Sequence, residues 1–298
     1  MRTASLRLTL LACVVVLLVS TTQATNAQAK NASPSSAAAQ PAAQTTPASP
    51  APSDLAPLEP AQLPRDTTAL DAAIKQLVAT TGASVGVTLV ELGGSESITW
   101  AFGGSTVFAA ASTYKLAALM MEAQNIAAGT TDPNGLVCYQ PDDYEAGWFD
   151  DYAPGACYAR NELAWRAGIV SDNTAGHMLV RDVGGSDALN AWAASIGATS
   201  SAFFAGNTTT ADDLAALWVA ESAGRLGGAA AEAWLYPVLT NTAYETGIPA
   251  GVGAGTEVVH KVGALDLVDD DAALVLPGTN RAYVLTVMTG RVEASRPG

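Results

Sequence analysis

Everything else in this chain takes its place around Ser112-Thr113-Tyr114-Lys115-Leu116-Ala117-Ala118-Leu119-Met120-Met121. From Lys115 to residue 128 the sequence is apolar nearly all round, the pattern of a helix buried on every side. A lysine in the first turn of such a helix asks for a chemical reason. The chain has four lysines, at 30, 75, 115 and 261, against ten arginines. Lysine can lose its proton when desolvated and arginine effectively cannot. A three-residue step puts Ser112 and Lys115 on one helical face, about one turn apart. An amine whose pKa is lowered by burial or by a second cation can take the serine proton there. The helix N-terminus adds free backbone N–H groups and positive potential towards developing negative charge. Alone, Ser-x-x-Lys fits equally well an N-cap serine followed by a surface lysine.

Two further short patterns lie downstream. Ser171-Asp172-Asn173 offers a hydroxyl for proton relay, a carboxylate to brace a turn and an amide to grip a carbonyl. The same three residue types also make an ordinary turn with a helix cap. Lys261-Val262-Gly263 ends a strand pattern; Lys261 can hold a carboxylate and Gly263 lets a ligand approach the backbone. A solvated strand-end lysine reads the same way in isolation. Each pattern occurs once, with starts 59 and then 90 residues apart. Their settings are compatible: a helix start, a turn between helices, a strand end. The conjunction predicts that the three stretches converge and set one hydroxyl between two ammonium groups.

Around these patterns the periodicity predicts a helix over 68–80 (Leu70, Ile74, Leu77, Val78) and a hairpin of strands 83–92 and 96–102 turned by Gly93-Gly94-Ser95. Residues 139–155 read as a long aromatic and acidic loop. Helices are expected over 161–169, 173–183, 211–223 and 229–236, and closing strands over 257–262, 272–276 and 281–289. Strands from both ends of the chain flanking a helical block imply an antiparallel sheet with helices packed on it and a separate helical lobe.

At this point the chain resembles the penicillin-recognising serine hydrolases, most closely class A β-lactamases and their divergent relatives. The resemblance rests on the three patterns in order and on Thr208-Thr209-Thr210 leading into a helix, and it runs from about Thr68 onward. It implies an α+β fold: a five-stranded antiparallel sheet with flanking helices against an all-α lobe. By motif it implies that Ser112 is the acylated nucleophile and Lys115 its base. Ser171 would pass a proton to the departing nitrogen, Asn173 would bind the acyl-side amide, and Lys261 would steer the substrate carboxylate and tune Ser171. The backbone N–H groups of Ser112 and Ala264 would form the oxyanion hole, with Gly263 and Ala264 against the substrate.

Three departures from the family pattern carry consequences. Class A enzymes hold a deacylating Glu between the Ser-Asp-Asn motif and the Thr triplet, but here no acid lies between Asp187 and Asp212. A long-lived acyl-enzyme follows unless another group recruits the water. Val262 replaces a hydroxyl residue that would contact the substrate carboxylate, a hydrogen bond worth roughly 1.5–3 kcal/mol. After the last strand, residues 291–298 leave no room for a long C-terminal helix, so one sheet face is expected to be uncovered or taken by a partner.

Composition bounds the rest. Residues 1–29 read as an export signal: Arg2 and Arg7, an apolar core over 8–19, and a small-x-small site at Ala27-Gln28-Ala29. Residues 30–64 are Ala, Pro, Ser, Thr and Gln with almost no large apolar side chain, a flexible tether. Residues 65–298 are the hydrolase-like domain. Cleavage of the signal leaves 12 basic against 28 acidic residues, a net of −16, which argues against a nucleic-acid partner. Cys138 and Cys157, an even pair in an exported chain, are expected to form a disulfide. With two histidines, neither near the cysteines, no zinc site is expected, nor any cofactor or membrane insertion after cleavage. His177 reads as helix surface or support for the site, and His260, on the opposite strand face from Lys261, as packing. Trp148, Phe149 and Tyr152 read equally as cleft wall or loop core.

The leading expectation is an extracytoplasmic bacterial serine hydrolase that acylates Ser112 with β-lactams or related amides and deacylates slowly. A penicillin-binding DD-peptidase-like protein acting on cell-wall peptides is the second, favoured by the missing acid. A non-catalytic wall- or drug-binding module on the same fold is the third; Val262 favours it and the retained Ser112, Lys115, Ser171 and Lys261 speak against it.

Overall fold

In the computed structural model, residues 67–93, 99–278 and 281–291 are described. The expected export signal and tether lie outside them, as does most of the hairpin turn. The hairpin strands β1 (Ala83–Glu91) and β2 (Thr99–Phe102) form as their β-branched alternation demands. Three more strands close the sheet: β7 (Glu257–Leu265), β8 (Val268–Leu276) and β9 (Tyr283–Arg291). The order is β2-β1-β9-β8-β7 and the pairing is antiparallel. Strand β7, which carries Lys261, is therefore an edge. Strand β8 begins four residues earlier than its apolar run suggested, because the acids at its start find partners. Asp271 meets His260, and Asp270 accepts a hydrogen bond from the Thr289 N–H.

The two sheet faces have separate fates. On one, Val85, Val87, Leu89, Val275 and Leu285 pack with Leu70 and Ile74 of helix α1 (Thr68–Thr81). Helix α1 thus packs on that face, where a bare or partner-covered face was expected. On the other, Val259, Ala272, Leu274, Val284 and Met288 join the core of the helical lobe. There α2 (Tyr114–Ala127) is buried on nearly all sides, as its composition required. Around α2 stand α3 (Arg160–Ile169), α4 (Asn173–Asp182), α5 (Gly185–Ile196) and α7 (Ala229–Leu235). Helix α6 (Ala211–Ser222) lies on β1 and β9. Helix α5 had no expectation; its Ala-rich sequence buries only Leu189 and Ala193, too narrow a stripe to stand out.

Two small ladders also escaped the sequence reading. Strand β3 (Phe108–Ala109) pairs with β6 (Thr208–Thr209), which brings the Thr triplet beside the segment entering α2. Strand β4 (Leu136–Cys138) pairs with β5 (Cys157–Ala159), placing Cys138 opposite Cys157, and the expected disulfide joins them. It pins the base of the long loop that reaches the cleft. Among the described residues no helix is long and apolar enough to cross a membrane.

Candidate active site

The chain reaches Ser112 through a turn under constraint. Ala111 holds φ +46, a left-handed backbone that costs a non-glycine residue of order 1–3 kcal/mol. It is held from three sides: Ala110 N–H donates to Asn207 O (2.8 Å), Thr113 Oγ1 donates to Ala110 O (2.6 Å), and β7 presses on the turn. A Cβ on Gly263 would stand 2.8 Å from the Ala110 carbonyl. Gly263, expected to let a ligand approach the backbone, also lets the chain's own turn at 110–113 approach it, so that β7 and α2 come close enough to share a site.

Lys115 is fully buried, and its Nζ lies 2.9 Å from Ser112 Oγ, 2.7 Å from Ser171 O and 2.8 Å from Asn173 Oδ1. Ser171 Oγ is 3.4 Å away. Burial pushes the Lys115 ammonium down to about 8, against the opposing pull of the Asp172 and Glu145 carboxylates. Room for this side chain comes from Gly176, where an added Cβ would sit 2.6 Å from Lys115 Cε. Sequence reasoning missed Gly176, although a glycine inside a helical pattern is itself a sign of close packing.

Ser171 occupies the turn between α3 and α4 with φ +60. Asp172 braces that turn as expected, and it does so three ways. It N-caps α4 by accepting from Ala175 N (2.9 Å), and it also accepts from Trp148 N (2.9 Å) and the Tyr152 hydroxyl (2.7 Å). Lys261 Nζ donates to Ser171 Oγ and to Val262 O, each at 2.9 Å. Burial first, and the Lys115 cation second, hold the Lys261 amine well below the usual lysine range. One hydroxyl does stand between two amines, but it is Ser171, not Ser112: Lys115 serves Ser112, and both lysines reach Ser171.

These groups open onto a cleft of about 970 Å³ whose lining includes Ser112, Ser171, Asn173, Val262 and Ala264. Trp148 and Gly147 form one wall; Tyr244, Thr246 and Gly247 form another, with Leu265, Asp266 and Leu267 at the turn after β7. Both lysines stand one layer behind this surface. The aromatic loop divides its work. Trp148 faces the cleft and donates from Nε1 to the Tyr244 hydroxyl (3.2 Å), while Phe149 and Tyr152 stack on the Arg166 guanidinium at 4.1 and 5.2 Å.

The stretch 188–211, without an acid, contributes Phe204 here, edge-on to Tyr114 (5.5 Å) and His177 (4.9 Å). His260 is more than packing. It is fully buried on the far face of β7 from Ser171, with Nδ1 2.9 Å from Asp271 Oδ1 and Nε2 3.2 Å from Glu245 Oε1. This cluster ties the 241–247 loop, a cleft wall, to the strand that bears Lys261. Among the described residues no group of His, Cys, Asp and Glu is placed to hold a metal ion.

Comparison with known proteins identifies the family and the fold. The Beta-lactamase enzyme family matches residues 69–298. No curated protein sequence matches the chain. Among solved structures, PBP-A superposes with a TM-score of 0.70 at 28% identity, covering 76% of this chain and 89% of that one. A PBP-A mutant solved as an acyl-enzyme complex with penicillin G gives the same TM-score and identity over 78% and 91%. A β-lactamase from Sphaerobacter thermophilus DSM 20745 gives 0.66 at 25% identity over 77% and 90%.

Proposed function

The chain belongs to the beta-lactamase enzyme family, and from that premise we propose that it is a serine acyl-transfer hydrolase whose nucleophile is Ser112 and whose substrates are β-lactams or related amides. The observation that carries this is the donor count at Lys115. As a neutral amine, Nζ has two N–H donors and one lone pair. Ser171 O and Asn173 Oδ1 can only accept, so they take the two donors and aim the lone pair at the Ser112 hydroxyl. With its pKa lowered to about 8, roughly one molecule in ten holds that amine at pH 7.

In the proposed step the Ser112 proton passes to Lys115 as Oγ bonds to the substrate carbonyl carbon and the π electrons move to oxygen. The backbone N–H groups of Ser112 and Ala264 would receive that oxyanion. The C–N bond then breaks. Ser171 gives its hydroxyl proton to the leaving nitrogen and regains one from the Lys115 ammonium, which returns the amine to its starting state. Lys261, by donating to Ser171 Oγ, holds that hydroxyl in the relay position.

Release of the acyl group needs a water and a base. The stretch 188–211, where class A enzymes hold their deacylating Glu, has no acid and places Phe204 beside Tyr114. We therefore expect slow deacylation. The same feature favours the second reading, a DD-peptidase-like protein acting on cell-wall peptides, as does similarity to PBP-A, a mutant of which has been solved as an acyl-enzyme complex with penicillin G. Export to the cell envelope belongs to both readings through residues 1–29.

Intact-mass measurement over time with penicillin G tests the proposal. A penicillin-sized adduct that persists for minutes or longer, and that Ser112→Ala abolishes, is expected. Rapid turnover without accumulation would overturn slow deacylation, and an adduct that survives Ser112→Ala would overturn the nucleophile.

A further inference from the structure

Asn173 lines the cleft, yet every hydrogen-bonding group of its side chain is engaged. Oδ1 accepts from Lys115 Nζ at 2.8 Å. Nδ2 has two N–H donors; one goes to Glu145 Oε1 at 2.9 Å and the other to Ala146 O at 3.2 Å. A substrate carbonyl arriving at Asn173 finds no free donor.

The two occupants differ in how easily they leave. Ala146 O is main chain in a segment tied down on both sides. Thr174 Oγ1 donates to Glu145 O (2.8 Å), and Trp148 N donates to Asp172 Oδ2 (2.9 Å). The Glu145 carboxylate sits on a side chain that is 54% exposed, and its second oxygen lies 2.9 Å from His177 Nε2. His177 follows Asn173 by four residues on α4 and is only 17% exposed, its ring edge-on to Phe204. Glu145 can thus release Asn173 while keeping its hold on His177.

Resting on the reading of Asn173 as the group that receives the acyl-side carbonyl, we propose that Glu145 is a specificity-determining residue: an internal competitor for the Asn173 amide donor, which a substrate carbonyl must displace. The competition penalises only substrates that present a carbonyl to Asn173. Those that do not reach for Asn173 react with Glu145 in place.

The test compares penicillin G, whose side chain carries an acyl-side amide, with 6-aminopenicillanic acid, the same nucleus without that carbonyl. The second-order acylation constant for each is measured by intact mass on wild type, Glu145→Ala and His177→Ala. Glu145→Ala is expected to raise the penicillin G to 6-aminopenicillanic acid ratio several-fold, up to about tenfold for removal of one charge-assisted competitor at an exposed site. His177→Ala leaves the carboxylate on Asn173 alone and is expected not to raise the ratio. An unmoved ratio in Glu145→Ala overturns the inference. So does an equal loss towards both compounds, which would make Glu145 a support for Asn173 rather than a competitor.

A readout that needs no reaction separates this inference from the acylation reading. The side-chain amide resonance of Asn173 shifts on Glu145→Ala if the bond is held in solution, and an unshifted resonance overturns the inference. A wild type that neither compound labels overturns the acylation reading instead.

Discussion

In the proposed reaction Lys115 is the residue on which the chemistry turns, and its setting makes three predictions. Because its pKa is lowered, the free amine grows with pH, so the acylation rate should climb through neutral pH and level off above about 8. Lys115→Arg keeps a cation but cannot shed its proton, and it should slow acylation by roughly 10²–10⁴-fold; a stopped-flow or mass-based rate for adduct formation decides. Gly176→Ala touches no reacting atom, yet its Cβ would sit 2.6 Å from Lys115 Cε and push the amine aside. A displacement of about 1 Å at a catalytic group costs on the order of 10²-fold. That loss should appear in the acylation rate of a protein that still folds.

Strand β7 and the disulfide-bonded loop bring the walls of the cleft to these residues, and each can be loosened separately. Burial opposes charge on His260, but the Asp271 and Glu245 carboxylates prevail and raise its pKa to about 9. A raised folded pKa means that the ion cluster contributes its full stability below about pH 6.5 and loses it as pH climbs through 9. The difference amounts to about 3 kcal/mol. In denaturant titrations, His260→Gln should therefore flatten the fall in stability between pH 6.5 and 9 relative to wild type; a parallel fall in both would refute the assignment. The Cys138–Cys157 disulfide closes a loop with a sequence separation of 19. Replacing both cysteines with serine should cost about 3 kcal/mol, or roughly 6–12 °C in melting temperature for a domain of this size. Both effects are mechanical: they change how firmly Tyr244 and Trp148 stand over Ser171, not which atoms react.

At the scale of the whole molecule, both hydrophobic clusters among the described residues draw their members from residues 70–288, and the composition of residues 30–64 predicts a tether. A chain starting at residue 65 should then match the full-length protein in melting temperature and in acylation by penicillin G; a lower melting point would mean that residues 1–64 contribute to the fold. The five-stranded sheet and its helices were legible because strand alternation and apolar helical faces are local patterns that burial enforces. That Ser112, Lys115, Ser171 and Lys261 would meet was legible because the proposed acyl transfer needs such side chains at a helix start, a turn and a strand end; the structure brings the four together. The narrow-faced α5 and the two-residue strands β3 and β6 were not, being too short or too weakly patterned to announce themselves.

Nor could a linear pattern say which serine would lie between the two amines. That depends on how deeply β7 presses on the Ala110 carbonyl, a distance governed by Gly263 and the packing behind it. Likewise Glu145 meets Asn173 and His177 only because the disulfide loop folds back over α4. Side-chain chemistry and local periodicity travel with the residues themselves, whereas partners far apart in the chain are chosen by close packing in three dimensions, where a single methyl group at position 176 or 263 would alter who touches whom.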